Sequence, residues 1–360
     1  MNTELLFQAK KRIVNTLSLY KKNGIDFLRS VDAKKYEFID NKYGSKKYES
    51  YRDNQLYGNG ALYRHSRDLK ADSKLHIVIP HGFTPGDVIW SKEIAAQLPI
   101  ACFSDHVKFK YKSVAQKYNI KTTLFSTVHP FKSLLQEIDN ITGSMKDNVN
   151  PREEAIYFPL HSTKAIASSI HSSIKNARSK LEKVQRNYKS LNLCIYYIDY
   201  INLLKSGKWD EYRSNFDKVY CCGSRYEPAF LVNLAIILKE HKTLVTEGVG
   251  SHIFFGAMAK IKLDLMKHAD SIDAYEFKDS AEKSRKDRQA RKNNIQAAAE
   301  LHSILDNCSE DKYLIINRYT NYFSSEKEKN IEARIIQSSQ ESSCQGFSEN
   351  FDSKIYPLIE

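Results

Sequence analysis

Thr243-Leu244-Val245-Thr246-Glu247-Gly248-Val249-Gly250-Ser251-His252-Ile253-Phe254-Phe255 decides the fold. A short apolar, β-branched run ends in a turn with two glycines, and an apolar stretch begins at once. This is the strand–turn–helix step of a parallel α/β sheet. The run lacks polar alternation, as expected of a strand covered on both faces. Gly248 and Gly250 allow close backbone approach to a ligand, and a helix start presents N–H groups and partial positive charge. Ser251 adds a hydroxyl and His252 an imidazole. The turn suits a diphosphate. It is not the G-x-G-x-x-G fingerprint, because the next glycine is Gly256, and this argues against a dinucleotide enzyme. A tight turn with no ligand is the competing reading.

The same alternation runs outward on both sides. Upstream, residues 155–158 read as a strand ending at Pro159-Leu160-His161-Ser162-Thr163, followed by a long helix over about residues 164–186. A strand over 191–198 ends at Asp199, and one over 218–222 ends at Gly223-Ser224-Arg225. A strongly apolar helix over 227–239 leads into the decisive stretch. Downstream come a helix over 252–259 and a short strand over 260–265. Strands alternating with helices predict a doubly wound parallel sheet.

The N-terminal half shows a fainter version. Leu75-His-Ile-Val-Ile79 ends in Pro80-His81-Gly82, and residues 99–103 end at Ser104-Asp105. A helix over 107–118 follows, with Asp105 as its candidate cap. A strand over 122–128 precedes a helix opened by His129-Pro130. The first 30 residues have helical periodicity, and residues 34–64 read as an irregular cap with short helices. Residues 140–153 form the best linker. The expected organisation is an N-terminal Rossmann-like domain over 1–145, a C-terminal Rossmann-like one over 151–305, and a partly mobile polar extension over 306–360.

Bulk properties restrict the partners. The 360 residues are 41% hydrophobic and 27% charged, a globular composition. No run of about 18 apolar residues marks a membrane span, and the first ten residues lack the apolar core of a secretory signal. Six cysteines show no C-x-x-C framework, and adjacent Cys221-Cys222 suits neither a disulfide framework nor a zinc site. A cytoplasmic location is expected. The formal net charge of +12 predicts anionic partners. The basic run from Lys283 to Lys292 reads as a solvated helix face or as contact with the inner membrane face.

Ligands of open parallel sheets bind at the carboxyl ends of the strands, so those ends hold the candidate sites. His161, Ser162 and Thr163 place an imidazole and two hydroxyls at a helix start, for phosphate or simply as caps. Arg225, Tyr226 and Glu227 offer a cation, a ring and a carboxylate to a nucleoside. His81 is expected to face the inter-domain cleft, and histidine as a residue type suits a general base, with Asp105 as a second candidate. No D-x-D follows a strand and no histidine pairs at helical spacing, so no metal site and no cofactor are expected. P-loop and α/β-hydrolase signatures are missing.

Tyr157-Phe-Pro-Leu-His161-Ser162-Thr163, Cys194-Ile-Tyr-Tyr-Ile-Asp199, Cys222-Gly-Ser and Val245-Thr-Glu-Gly-Val-Gly-Ser-His252 together resemble the C-terminal half of bacterial capsular-polysaccharide glycosyltransferases of GT-B type. His81-Gly82 after a strand is similar to the His-Gly motif of CDP-glycerol glycerophosphotransferases, where the histidine is implicated as the base. The resemblance covers residues 75–265. It implies a GT-B-like fold of two Rossmann-like domains facing a cleft, with the donor nucleotide on the C-terminal side. It also implies metal-independent transfer of a sugar, or sugar-like phosphate unit, to a polysaccharide or lipid-linked acceptor. Glu247-Gly248 departs from the Ser-Asn or Asp-Ser of relatives. Two other readings compete. A nucleotide-sugar epimerase needs more acid–base residues than His81 and Asp105. A non-catalytic adaptor or anionic-polymer binder would draw on the charge, but nucleic-acid binding lacks interleaved aromatic and basic residues.

Overall fold

The computed structural model describes residues 49–69, 73–80, 82–83, 89, 91–142, 154–159, 166–168, 182, 187–223, 225–227, 229–246, 248–266, 275–277, 300–301, 332–334 and 337. The first 30 residues, read from the sequence as helical, and His81, His161, Ser162, Thr163, Glu247 and the basic run of 283–292 lie outside them.

The larger sheet has five parallel strands: β3 (Glu154–Phe158), β5 (Ser190–Cys194), β6 (Val219–Tyr220), β7 (Thr243–Thr246) and β8 (Lys262–Leu265). Their spatial order is β6-β5-β3-β7-β8. The chain builds outward from β3 to one edge, returns, and builds outward to the other edge. The reversal falls between β3 and β7, which pair from Ala155 with Thr243 to Phe158 with Thr246.

Strand alternation sorts the side chains onto two faces. Ile156, Phe158, Leu244 and Leu263 join α7 (Phe230–Glu240) and α8 (Ser251–Met258) in one core. Ala155, Tyr157, Leu193 and Val245 join α5 (Tyr197–Lys205) and Tyr212 of α6 (Trp209–Arg213) in the other. This three-layer arrangement is the doubly wound pattern expected. Gly256 sets the distance between α8 and the sheet, because an added Cβ would lie 2.9 Å from Leu244 Cδ1. That close approach leaves no room for a side chain.

The N-terminal half is a smaller parallel array. β1 (Ile100–Cys102) pairs with β2 (Leu124–Ser126), and single parallel bridges join Val78 to Ile100 and Glu49 to Leu75. The expected strand of 75–79 is therefore buried but only bridged. Asn54 serves its outer edge: Oδ1 accepts from Ile79 N–H at 2.8 Å and Nδ2 donates to Ile77 O at 2.8 Å. A buried ion pair, Arg64 Nη1 to Glu49 Oε1 at 2.6 Å, ties α1 (Asn59–His65) to the same edge. Short α2 (Ser91–Ala95) and longer α3 (Asp105–Lys117) flank the array.

Helix α4 (Pro130–Thr142) follows β2, yet Phe131, Leu134, Leu135 and Ile138 sit in the core with α7 and α8. Leu62 of α1 joins them. The two halves are thus packed together through α1 and α4 against the C-terminal helices.

Three expectations need correction. Ser104 rather than Asp105 caps α3: its backbone is extended and its Oγ accepts from Val107 N–H at 3.2 Å. β5 ends at Cys194, and Asp199 lies in the first turn of α5, not at a strand end. Residues Ile166–Ser168, read as helix, form β4, antiparallel to β9 (Tyr275–Phe277). The polar extension is anchored at Glu332, which is buried and accepts from Tyr63 Oη at 2.5 Å, Arg67 Nε at 2.8 Å and Thr127 Oγ1 at 2.7 Å. Among the described residues, no helix is long and apolar enough to cross a membrane.

Candidate functional site

The reversal between β3 and β7 marks the carboxyl end of the sheet where open parallel sheets take ligands. Thr246, the last residue of β7, organises it. Its Oγ1 lies 3.0 Å from Phe158 O, 2.8 Å from His252 Nε2 and 3.4 Å from Gly248 N. The hydroxyl accepts from Gly248 N–H, and the direction of its contact with His252 follows the tautomer of that ring. The His252 ring stacks on Phe158, with centroids 5.5 Å apart and planes at 9°. The imidazole is thereby held at the ends of β3 and β7.

Gly250 precedes α8 with extended backbone, and no side chain caps the helix. The residue must lack a side chain because of His252: an added Cβ would lie 2.8 Å from its Cε1. Gly248 is buried directly beneath. Gly248, Gly250, Ser251 and His252 are therefore gathered around one helix start, as the sequence predicts.

Ser251 meets the other half of the molecule. Its Oγ accepts from Phe83 N–H at 3.1 Å, and its own proton remains to be donated. Gly82 has φ +81°, the left-handed region, and a Cβ there would lie 2.9 Å from Ser251 Oγ. The loop after His81 thus rests on the start of α8. Phe83 fills the junction, stacked on Phe254 at 4.7 Å and on His129 at 5.3 Å.

His129 is buried among Phe83, Phe103 and Phe255 at the carboxyl end of the N-terminal array. Nδ1 accepts from Phe131 N–H at 3.1 Å, which places the proton of the neutral ring on Nε2. Burial pushes its pKa down to about 3, so the imidazole is neutral in the fold. The unfolded chain binds a proton below about pH 6.5 that the native state refuses until about pH 3. Stability therefore falls as pH drops through that window, by up to about 1.4 kcal/mol per pH unit from this residue. Urea titrations at pH 7, 6, 5 and 4 are expected to show the decline, and His129→Phe to flatten it.

Arg225, Tyr226 and Glu227 share one turn beyond β6. The Arg225 guanidinium lies over the Tyr226 ring at 4.8 Å, and Arg225 O accepts from the N–H of Tyr57. Tyr57 has φ 60°, uncommon for a side chain of this size, and packs edge-on against Phe230 at 4.9 Å. Glu227 is buried, and its carbonyl accepts from Phe230 N–H at 3.0 Å, leading into α7. This turn stands about 10 Å, or two strand spacings, from β3 along the same sheet edge. Asp105 is exposed in the first turn of α3.

The start of α8 thus collects Gly248, Gly250, Ser251 and His252, with Arg225 and Tyr226 beyond β6. His129 opens α4, as its place before Pro130 suggests, and its ring packs against Phe83. Thr246, Phe83 and Tyr57 were not anticipated, and of these Thr246 and Phe83 carried a local signal as neighbours of the glycine turns. Among the described residues, no three His, Cys, Asp or Glu side chains group as a metal site would.

No family model matches the chain. No curated protein matches it either. Among solved structures, the chain is similar to the crystal structure of the glycosyltransferase SnogD from Streptomyces nogalater, over 91% of this chain and 94% of that chain. The identity is 12% and the TM-score 0.28, a level of similarity that carries no argument.

Proposed function

We propose that this chain is a glycosyltransferase with a GT-B-like cleft between its two halves. It moves a sugar, or a sugar-like phosphate unit, from a nucleotide-activated donor to a polysaccharide or lipid-linked acceptor. One observation carries the reading: the loop following His81 rests on the start of α8, through Phe83 N–H and Ser251 Oγ, at the switch point of the parallel sheet. In this reading His81, next to that loop in the chain, is the base, and the start of α8 binds the anion.

In this mechanism the donor diphosphate lies at Gly248, Gly250, Ser251 and His252, with His161, Ser162 and Thr163 as its further ligands. Backbone N–H groups at the helix start, the Ser251 hydroxyl and the His252 imidazole stabilise negative charge on the leaving nucleotide. These groups take the role that a divalent ion has in other transferases. Arg225, Tyr226 and Glu227 hold the nucleoside. His81 removes the proton of the acceptor hydroxyl as that oxygen attacks the sugar carbon, and Asp105 is the second candidate for this step. A UDP-, CDP- or CMP-linked donor fits the site chemistry. An anionic acceptor or the inner membrane face fits the positive charge, with the run from Lys283 to Lys292 as its contact and capsule polysaccharide as a target.

The test is release of free nucleotide from UDP-, CDP- and CMP-sugars in the presence of membrane extracts or polysaccharide primers. His81→Ala is expected to lower turnover about 100-fold while nucleotide binding persists. Full turnover in a folded His81→Ala protein would remove the base assignment.

A further inference from the structure

Adjacent Cys221 and Cys222 made no sense as a pair in the sequence, and the sheet separates them. Cys221 packs with Tyr157 and Val245 on one face. Cys222 points to the other face, in the core that holds Cys194 of neighbouring β5. Alternation accounts for it: Cys194 stands opposite Tyr220, and two residues further on the chain returns to the same face. The Cys194 and Cys222 sulfurs lie 3.8 Å apart, both buried and both in the thiol form.

We propose that Cys194 and Cys222 are a reversible disulfide site that moves the turn carrying Gly223, Arg225 and Tyr226. A disulfide needs the sulfurs about 2.05 Å apart, so oxidation must draw them together. The two ends do not yield equally. Cys194 lies within the ladder, flanked by Leu193 N–H to Lys218 O and Ile195 N–H to Tyr220 O, both at 2.9 Å. Cys222 lies beyond the last residue of β6, held to α7 by Asn233 Nδ2 to Cys222 O at 3.0 Å. Cys222 is the end that moves. Gly223, next in the chain at φ +105°, and Arg225 move with it.

The chemistry is ordinary thiol–disulfide exchange with oxidised glutathione as the co-reactant. One thiol of the pair loses its proton and its sulfur attacks a glutathione sulfur. The glutathione S–S bond breaks, a protein–glutathione bond forms, and one glutathione thiolate leaves. The second cysteine, deprotonated in turn, attacks the protein-bound sulfur and expels the second glutathione. Two protein thiols become one disulfide, two electrons reduce glutathione disulfide, and the two protons end on its thiols.

The site is independent of the transferase reading and is tested without a substrate. The folded protein is incubated with excess oxidised glutathione, alkylated, digested and mapped. The expected result is a Cys194–Cys222 cross-linked peptide, loss of those two free thiols, and full reversal by dithiothreitol. Trypsin cleavage after Arg225, timed in the folded protein, should change several-fold on oxidation. Cys222→Ser should abolish both effects, with Cys194→Ala serving if that variant does not fold. Cys194 and Cys222 that remain alkylatable after treatment overturn the site. A cross-link that leaves cleavage at Arg225 unchanged overturns its coupling to the turn.

Discussion

Gly82→Val is expected to lower donor affinity about 100-fold and to destabilise the protein by about 2–3 kcal/mol. Two causes act together. At φ +81° a β-branched residue is strained, and its Cβ would lie 2.9 Å from Ser251 Oγ. The loop must therefore lift away from α8. Phe83 N–H then loses Ser251, and the Phe83 ring loses its stacking on Phe254 and His129. Denaturant titration measures the stability loss, and nucleotide titration at a temperature where the variant is still folded measures the affinity. Gly82→Ala should fall between, with the same backbone strain and less bulk. A valine variant with native stability would show that the loop does not depend on this contact.

Glu332→Ala is expected to destabilise by about 3 kcal/mol. The carboxylate accepts from Tyr63 Oη, Arg67 Nε and Thr127 Oγ1, so truncation leaves a guanidinium and two hydroxyls without their shared acceptor. Arg67 is 18% exposed, and water recovers part of its loss, which keeps the figure below that of a sealed pair. Its Nη2 also retains Thr127 Oγ1 at 2.5 Å. Glu332→Gln keeps an acceptor and should cost about half as much. The comparison separates lost charge from lost hydrogen bonds. Guanidinium unfolding of the three proteins side by side makes the measurement. Equal stability of all three would mean that the C-terminal segment is not fastened at this point.

The decisive strand and turn were legible because several local signals agreed. Thr243–Thr246 is apolar and β-branched, two glycines follow, and an apolar helix begins at Ser251. The gathering of Gly248, Gly250, Ser251 and His252 followed from that step alone. What the glycine at 250 makes room for was not legible, because the His252 ring reaches back over it only in three dimensions.

Elsewhere, local signals tied or were missing. Ser104 and Asp105 are both good caps, and only the extended backbone at Ser104 selects between them. The run from Leu191 to Ile198 is apolar throughout, and short apolar runs do not distinguish strand from helix. The chain leaves the sheet at Cys194 and turns into α5 at Tyr197, taking Asp199 with it. Ile166–Ser168 becomes a strand through antiparallel pairing with Tyr275–Phe277, a distant partner that no local pattern announces. Glu332 reaches Tyr63 across 269 positions, and one carboxylate in a polar segment has no periodicity to betray it.

The measurement that tests the account most directly is thermal unfolding of the purified protein with UDP, CDP, CMP, GDP and ADP, each with and without Mg²⁺. A nucleotide that binds only the folded state, at about 100 times its dissociation constant, stabilises by about 2.7 kcal/mol. One nucleotide is expected to stand out without metal and to lose its effect in Gly82→Val. No stabilisation by any of them would contradict a donor site at the start of α8 and leave residues 247–250 a turn between strand and helix.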